Sequence, residues 1–167
     1  MIQRIQSLFL LGALASFVAC FLFPFWIYTS FDPIYTYEIS LFAIKWISGE
    51  MLNITIGTLP IIVLASVSTI LCGISLFSFK NRLFQIKINN YNIFISLFFI
   101  FTLFYWIPSS IDKQMLTAVS KWQIGLLFPL VAVILLILAN IFIKKDENLI
   151  KSTERLRKYV IPIVNLK

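Results

Sequence analysis

The sequence predicts an all-α membrane protein with a four-helix transmembrane bundle, and three observations support this fold class. Of 167 residues, 60% are hydrophobic and 13% are charged, against about 45–50% and about 25% in typical soluble domains. The charged residues leave four long uncharged stretches, and most basic residues fall on one side of them. A soluble domain of this length has too little interior for so much hydrocarbon. The composition therefore excludes a soluble enzyme, a disordered chain and a nucleic-acid binder, and no nucleic-acid partner is expected.

Each uncharged stretch predicts one membrane-spanning helix. A helix rises about 1.5 Å per residue, so about 20 residues cross the hydrocarbon layer. The uncharged stretches are 5–31, 51–79, 88–111 and 122–143. The predicted spans within them are about 6–28, 58–79, 91–107 and 122–143. The whole chain, 1–167, is then a single membrane domain with an outer loop at 29–57 and a tail at 144–167.

The positions of Lys and Arg predict the orientation in the membrane. Eleven of the fourteen basic residues belong to the N-terminus, the middle loop and the tail, and three belong to the outer connections. Basic residues favour the cytoplasmic side of short loops, so we expect both termini in the cytoplasm, beside anionic membrane lipids. The eleven are Arg4, Lys80, Arg82, Lys87, Lys144, Lys145, Lys151, Arg155, Arg157, Lys158 and Lys167. The three are Lys45, Lys113 and Lys121.

The first outer loop is expected to contain a small antiparallel sheet or hairpin. From Tyr35 to Leu41, apolar and polar residues alternate, which is typical of a half-buried strand. Asp32-Pro33 before this stretch and Ser48-Gly49 after it are turn signals. The segment 53–56 is a plausible partner strand. The alternative is an irregular loop whose aromatic residues lie among the lipid headgroups.

The second outer connection and the tail both have helical periodicity. In the connection 108–121 and just after it, Ile111, Met115, Val119 and Trp122 recur at a spacing that predicts an amphipathic turn or two joined to the fourth span. In the tail, four apolar residues form one stripe on a helix that continues span four. The stripe is Leu149, Ile150, Leu156 and Val160. The tail either docks on the membrane surface or on a partner, or is a solvated helical extension.

Small residues predict where the first two spans pack. Helices in lipid approach closely where their side chains are small. Span one carries Gly12 and Ser16 on one stripe, and span two carries Ala65, Thr69 and Gly73. We expect these stripes to face each other, with the hydroxyl groups bonded to nearby carbonyls or across the contact.

The spans contain none of the side chains that usually perform chemistry within a membrane. No Asp, Glu, Lys or Arg lies in a span interior, and the chain has no His. Proton relays, zinc sites and intramembrane proteases need such groups. Cys20 and Cys72 lie in apolar spans, where packing is the expected role. We therefore predict no catalytic residue, no metal site and no cofactor.

Two segments resemble a known family of bacterial membrane proteins. They are residues 1–11, MIQRIQSLFLL, and residues 145–157, KDENLIKSTERLR, and the Phe23-Pro24 pair is a further similarity. These features resemble the Bacteroidota four-span membrane protein family known as domain of unknown function 4293. The resemblance implies a protein of the inner membrane of a diderm bacterium. It implies no activity and no site residues, because the family has no characterised function.

The sequence favours a non-enzymatic protein that works by contact, as an accessory or scaffold subunit of a membrane assembly with other integral membrane proteins. The expected contact residues are Leu149, Ile150, Leu156 and Val160 inside and Tyr35, Tyr37 and Trp46 outside. One alternative is a binder or carrier of a lipid or another apolar molecule, with a cavity near Gly73, Ser75 and Phe98. Another is an enzyme acting on lipid headgroups through outer carboxylates. Those carboxylates are Asp32, Glu38, Glu50 and Asp112.

Overall fold

A computed structural model describes most of the chain as a helical bundle with a small sheet at one end. The described residues are 2–29, 36–42, 44–46, 55–79, 81–112 and 119–164. The helices are α1 (Ile2–Leu22), α2 (Thr55–Phe77), α3 (Arg82–Phe101), α4 (Ile107–Asp112) and α5 (Leu127–Val164). The strands are β1 (Trp26–Thr29), β2 (Thr36–Ile39), β3 (Ile44–Trp46) and β4 (Val119–Trp122). A π-helical segment, Thr102–Trp106, joins α3 to α4, and a 3-10 turn, Ile124–Leu126, precedes α5.

Among the described residues, four helices are long and apolar enough to cross a membrane, which confirms the predicted number of such helices. Their apolar segments are Ile5–Leu22, Leu59–Phe77, Arg82–Ser109 and Ile124–Thr153. Three predicted bounds were wrong. The first helix ends at Leu22 instead of residue 28, since Pro24 has no N–H to continue the backbone ladder. The third begins at Arg82 instead of residue 91, because α3 continues beyond the uncharged stretch. The fourth helix begins at Leu127 instead of residue 122, because Val119–Trp122 form β4.

The sheet has four antiparallel strands in the order β3-β2-β1-β4. In β1, one of the two inner strands, Tyr28 lies opposite Tyr37 of β2 on one side and Ser120 of β4 on the other. The pairing extends beyond β1, since the N–H of Phe25 donates to the carbonyl of Ile39 at 2.8 Å. The predicted strand over 35–41 is confirmed in part as β2, which covers Thr36–Ile39. Ser40 and Leu41 follow the strand, and Tyr35 lies outside the described residues.

Two predictions about the segments around this sheet were wrong. Thr55 and Ile56, placed in a partner strand, begin α2, and residues 53–54 lie outside the described part. The actual neighbours of β2 are β1 and β3. Val119 and Trp122, placed on a helical turn, form the ends of β4. Pairing with β1 satisfies the backbone hydrogen-bonding groups of β4. The second outer connection therefore contributes a strand to the same sheet.

The core has two layers along the bundle axis. The layer near the sheet joins residues from α1, β1, β2, α2 and α3 to the start of α5. The layer in the other half joins α1, α2 and α5. The first includes Phe25, Tyr28, Leu41, Ile61 and Phe99. The second is Leu10, Ala13, Phe17, Cys72, Ala132, Leu136 and Ala139. The helix ends away from the sheet carry Arg82, Lys87, Lys144, Lys145 and Lys151, and we refer to them as the basic end.

A close backbone contact fixes the end of α1 against the start of α5. The N–H of Gly125 donates to the carbonyl of Pro24 at 3.1 Å. A Cβ atom at residue 125 would overlap that carbonyl oxygen and come within 3.0 Å of the carbonyl oxygen of Phe23. Both obstacles are backbone atoms, which have little freedom to move aside. Gly125 is therefore the residue type that this crossing requires.

Replacing Gly125 with Ala is expected to lower the free energy of unfolding by about 1–3 kcal/mol, as overpacking of a close contact does. The matched control is Gly73→Ala, because a Cβ at Gly73 has no atom within 4 Å. The control should leave stability unchanged or slightly higher, since Ala favours a helix. SDS-induced unfolding in mixed micelles, followed by tryptophan fluorescence, measures both. Equal losses in the two variants would contradict the prediction.

Candidate functional site

A row of polar side chains runs along the buried face of α3. The residues recur at intervals of four, three and four, which places them on one side of a helix, and all are buried. Ser75 Oγ of α2 donates to Asn89 Oδ1 at 2.6 Å, and Asn92 Nδ2 donates to the Ser68 carbonyl at 3.1 Å. We call this row the polar seam, and its members are Gln85, Asn89, Asn92 and Ser96.

Further amides join α5 to its neighbours. Asn140 Nδ2 donates to Asn90 Oδ1 at 2.8 Å, which links α5 to α3. Gln6 Nε2 donates to the carbonyl of Phe142 at 3.2 Å, which links α1 to α5. Hydrogen bonds of this kind between membrane helices contribute about 0.6–2 kcal/mol each. The polar seam and these amides therefore fix the relative positions of all four long helices.

At the basic end, an ion pair ties the start of α3 to α5. Arg82 Nη1 lies 2.6 Å from Asp146 Oδ2, and the two side chains are 19% and 13% exposed. A second pair, Lys151 Nζ to Glu147 Oε1 at 3.0 Å, lies along α5 itself, and its lysine is 57% exposed. The first pair is shielded and links two helices, so it constrains the fold more than the second pair does.

Two cavities adjoin Arg82. The smaller has a volume of about 240 Å³ and lies between α1, α2 and the start of α3. Its walls combine the amides of Gln6 and Gln85 with the apolar side chains of Leu10, Leu76 and Phe79. The larger, about 520 Å³, is an open groove between the start of α3 and α5. The groove is lined by Asn81, Arg82, Leu83, Phe84, Lys87, Glu147, Ile150 and Lys151.

At the sheet end, an aromatic side chain contacts the π-helical segment. Trp26 Nε1 donates to the carbonyl of Leu103 at 3.3 Å, and the indole meets Phe104 edge-on with ring centroids 6.2 Å apart. Of the predicted outer contact residues, Tyr37 and Trp46 lie opposite each other across β2 and β3. Tyr35 is outside the described residues. The structure thus brings two of the three together by register.

On the tail, Leu149 and Ile150 lie on α5 beyond the Arg82–Asp146 pair, 49% and 42% exposed. Leu156 and Val160 belong to the same helix, but their side chains lie outside the described part. The four predicted contact residues are therefore on one continuous helix, and two of them present apolar surface.

The predicted packing of span one on span two was wrong for two glycines. Gly12 faces α5, since a Cβ there would lie 3.2 Å from Leu135 Cδ1. Gly73 adjoins open space. Ser16 and Thr69 donate to carbonyls of their own helices at 2.9 Å and 2.7 Å, one of the two arrangements that we expected. Ala65 is buried in the core layer near the sheet. Leu135 of α5 occupies the space beside Gly12, so this glycine packs against α5 and not against α2.

Among the described residues, those of each alternative hypothesis lie on two different elements. Ser75 is buried, whereas Phe98 is 55% exposed and stacks on Phe101, so the two have different environments. Among the outer carboxylates, Glu38 is in β2 and Asp112 ends α4, and Asp32 and Glu50 lie outside the described residues. Within the part of the chain that the structure describes, no three His, Cys, Asp or Glu residues are grouped as metal ligands.

The polar seam was not predicted from the sequence, because its side chains are uncharged amides and a hydroxyl and not ionisable groups. The sequence does contain a signal for it, since Gln85, Asn89 and Asn92 are spaced as one face of a helix. The ion pair between Arg82 and Asp146 was also not predicted from the sequence. Its partner Asp146 is far away in the chain, and no local pattern pairs them.

These features define a class: a polytopic α-helical membrane protein with a small sheet at one end and a charged, grooved opposite end. The chain belongs to the family described as domain of unknown function (DUF4293), whose model matches residues 2–156. No curated protein matches the sequence. The match covers both the sheet and the polar seam, so these are parts of the family's domain.

We expect the Arg82–Asp146 pair to contribute a measurable coupling energy. In a double-mutant cycle with Arg82→Gln and Asp146→Asn, the coupling should be about 0.5–3 kcal/mol, as for directly contacting residues. The matched control is the cycle of Glu147→Gln and Lys151→Gln, for which about 0.3–0.5 kcal/mol is expected. SDS-induced unfolding reports both cycles. A coupling for the first pair no larger than that of the second would refute the clamping role.

Proposed function

We propose that the chain is a non-catalytic accessory or scaffold subunit of an assembly in a bacterial inner membrane, with both termini in the cytoplasm. Contact with other integral membrane proteins is its activity in this proposal. The observation that carries it is the length and surface of α5. The helix has 38 residues, which is about 57 Å, whereas the hydrocarbon layer is about 30 Å thick.

The excess length leaves a helical extension outside the hydrocarbon layer. Its first turns are anchored by Asp146 to Arg82 on α3, so the extension leaves the bundle in a fixed direction. Leu149 lies just after this anchor and is 49% exposed. An apolar residue on a rigid, charged helix is a suitable anchor for a protein partner, because docking removes its surface from water.

The proposed orientation rests on the charges at the two ends. Eleven of the fourteen basic residues belong to segments at the basic end or continuous with it. The positive-inside rule then favours that end for the cytoplasm and the sheet for the outer side. The inner membrane of a diderm bacterium follows from the resemblance of the two end segments to Bacteroidota proteins.

Cysteine labelling tests the orientation with two matched variants. Ser120→Cys lies on β4 and Ser152→Cys lies on α5, and both positions are exposed. In intact spheroplasts, a membrane-impermeant maleimide should label Ser120→Cys and leave Ser152→Cys unlabelled until the membrane is permeabilised. Background should be low, since Cys20 and Cys72 are buried. Labelling of Ser152→Cys in intact cells would refute the orientation.

Photo-crosslinking in native membranes tests the contact role. A benzophenone amino acid at Leu149 is expected to give discrete protein adducts, at least severalfold more abundant than from the same group at Lys144. Lys144 is also exposed, and a separation of five residues places it on another side of the helix. Mass spectrometry of the adducts identifies the partner. Equal, diffuse adducts from both positions, together with a bare monomer in gentle detergent, would overturn the proposal.

A further inference from the structure

The groove between α3 and α5 combines apolar walls with uncompensated positive charge. Leu83 and Phe84 are 59% and 50% exposed, and Ile150 on the facing helix is 42% exposed. Apolar groups exposed at the membrane end of a bundle are suited to contact acyl chains. The groove is open along one side, so a molecule can enter it from the bilayer.

Among the described residues that line the groove, one basic side chain has no carboxylate partner. Arg82 is paired with Asp146, and Lys151 is paired with Glu147. Lys87 also lines the groove and is exposed, and no ion pair joins it to a carboxylate among the described residues. The groove therefore favours a ligand with a single negative charge. The start of α3 adds the positive end of a helix dipole, which also favours an anion.

The depth of the groove fits the lipid headgroup layer. The third membrane segment, Arg82–Ser109, has 28 residues, which is about 42 Å of helix, against about 30 Å of hydrocarbon. Charged residues avoid hydrocarbon, so the excess at this end, with Arg82 and Lys87, lies among headgroups. The apolar residues at positions 83, 84 and 150 are then near the ends of neighbouring acyl chains.

From these three features we infer that the groove binds one anionic glycerophospholipid, with its phosphate beside Lys87 and its acyl chains along Leu83, Phe84 and Ile150. The volume of about 520 Å³ is enough for a headgroup and the first part of the chains. Of the four predicted contact residues on α5, Ile150 lines the groove and Leu149 does not. The crosslinking position at Leu149 is therefore outside the lipid site. The inference does not depend on the existence of a partner.

Native mass spectrometry of the full chain in detergent tests the site. The protein is titrated with phosphatidylglycerol or with phosphatidylcholine of identical acyl chains. One phosphatidylglycerol should bind per chain at saturation, at least about fivefold more tightly than phosphatidylcholine, as expected for one lysine near an anionic lipid. Equal affinity for both lipids, or binding of several copies without saturation, would overturn the inference.

Two variants locate the binding. Lys87→Gln should weaken phosphatidylglycerol binding about fivefold and leave phosphatidylcholine binding unchanged. The matched control, Lys145→Gln, should leave both unchanged, because Lys145 is exposed on α5 but does not line the groove. Both lysines are at the surface, so both variants should fold, and thermal unfolding checks this. Equal losses in the two variants would indicate general surface charge and refute the site.

A third variant tests the apolar wall. Phe84→Ser should weaken phosphatidylglycerol binding severalfold, and it should leave the affinity for the short, water-soluble glycerol phosphate unchanged. If inorganic phosphate or glycerol phosphate binds as tightly as the whole lipid, the groove is a plain anion site and the inference is wrong.

Discussion

The absence of water in the bilayer is the constraint on which the structure depends, because every polar group there needs a partner within the protein. Several hydroxyl side chains find a partner within their own helix. Ser66 and Thr69 each donate to the carbonyl four residues earlier at 2.7 Å. The amides bond to other helices, as Asn92 does to the Ser68 carbonyl. The polar groups in the spans therefore stabilise particular helix pairs.

Backbone hydrogen bonding organises the sheet end. After Leu22 the chain leaves its helix, and the backbone of 25–29 pairs with β2 on one side and β4 on the other. The carbonyl of Leu103 in the π-helical segment accepts a hydrogen bond from Trp26. Sheet and bundle thus share one core, in which Phe25, Tyr28 and Phe99 are buried. Strands from both outer connections are therefore attached to the helices at this end.

At the basic end, two surfaces with different chemistry lie near the Arg82–Asp146 ion pair. The Arg82–Asp146 contact joins the start of α3 to α5, just before α5 extends beyond the bundle. On one side of α5 the groove with Lys87 suits an anionic lipid, and on another side Leu149 is available to a protein. In the proposed role, bound lipid would hold the start of α3 against α5 while the extension engages the partner. Lipid binding and contact would then support each other through the same pair of helices.

The sequence by itself determined the membrane class, the number of apolar helices and strand β2, because hydrocarbon thickness and alternation are local signals in the chain. It also carried the family match over residues 2–156. Only the tertiary structure decided that 26–29 and 119–122 are strands, since four residues are too few for periodicity to separate a strand from a helix end. It alone paired Arg82 with Asp146 and turned Gly12 towards α5. Such pairings depend on distant parts of the chain meeting in space, and no local pattern records them.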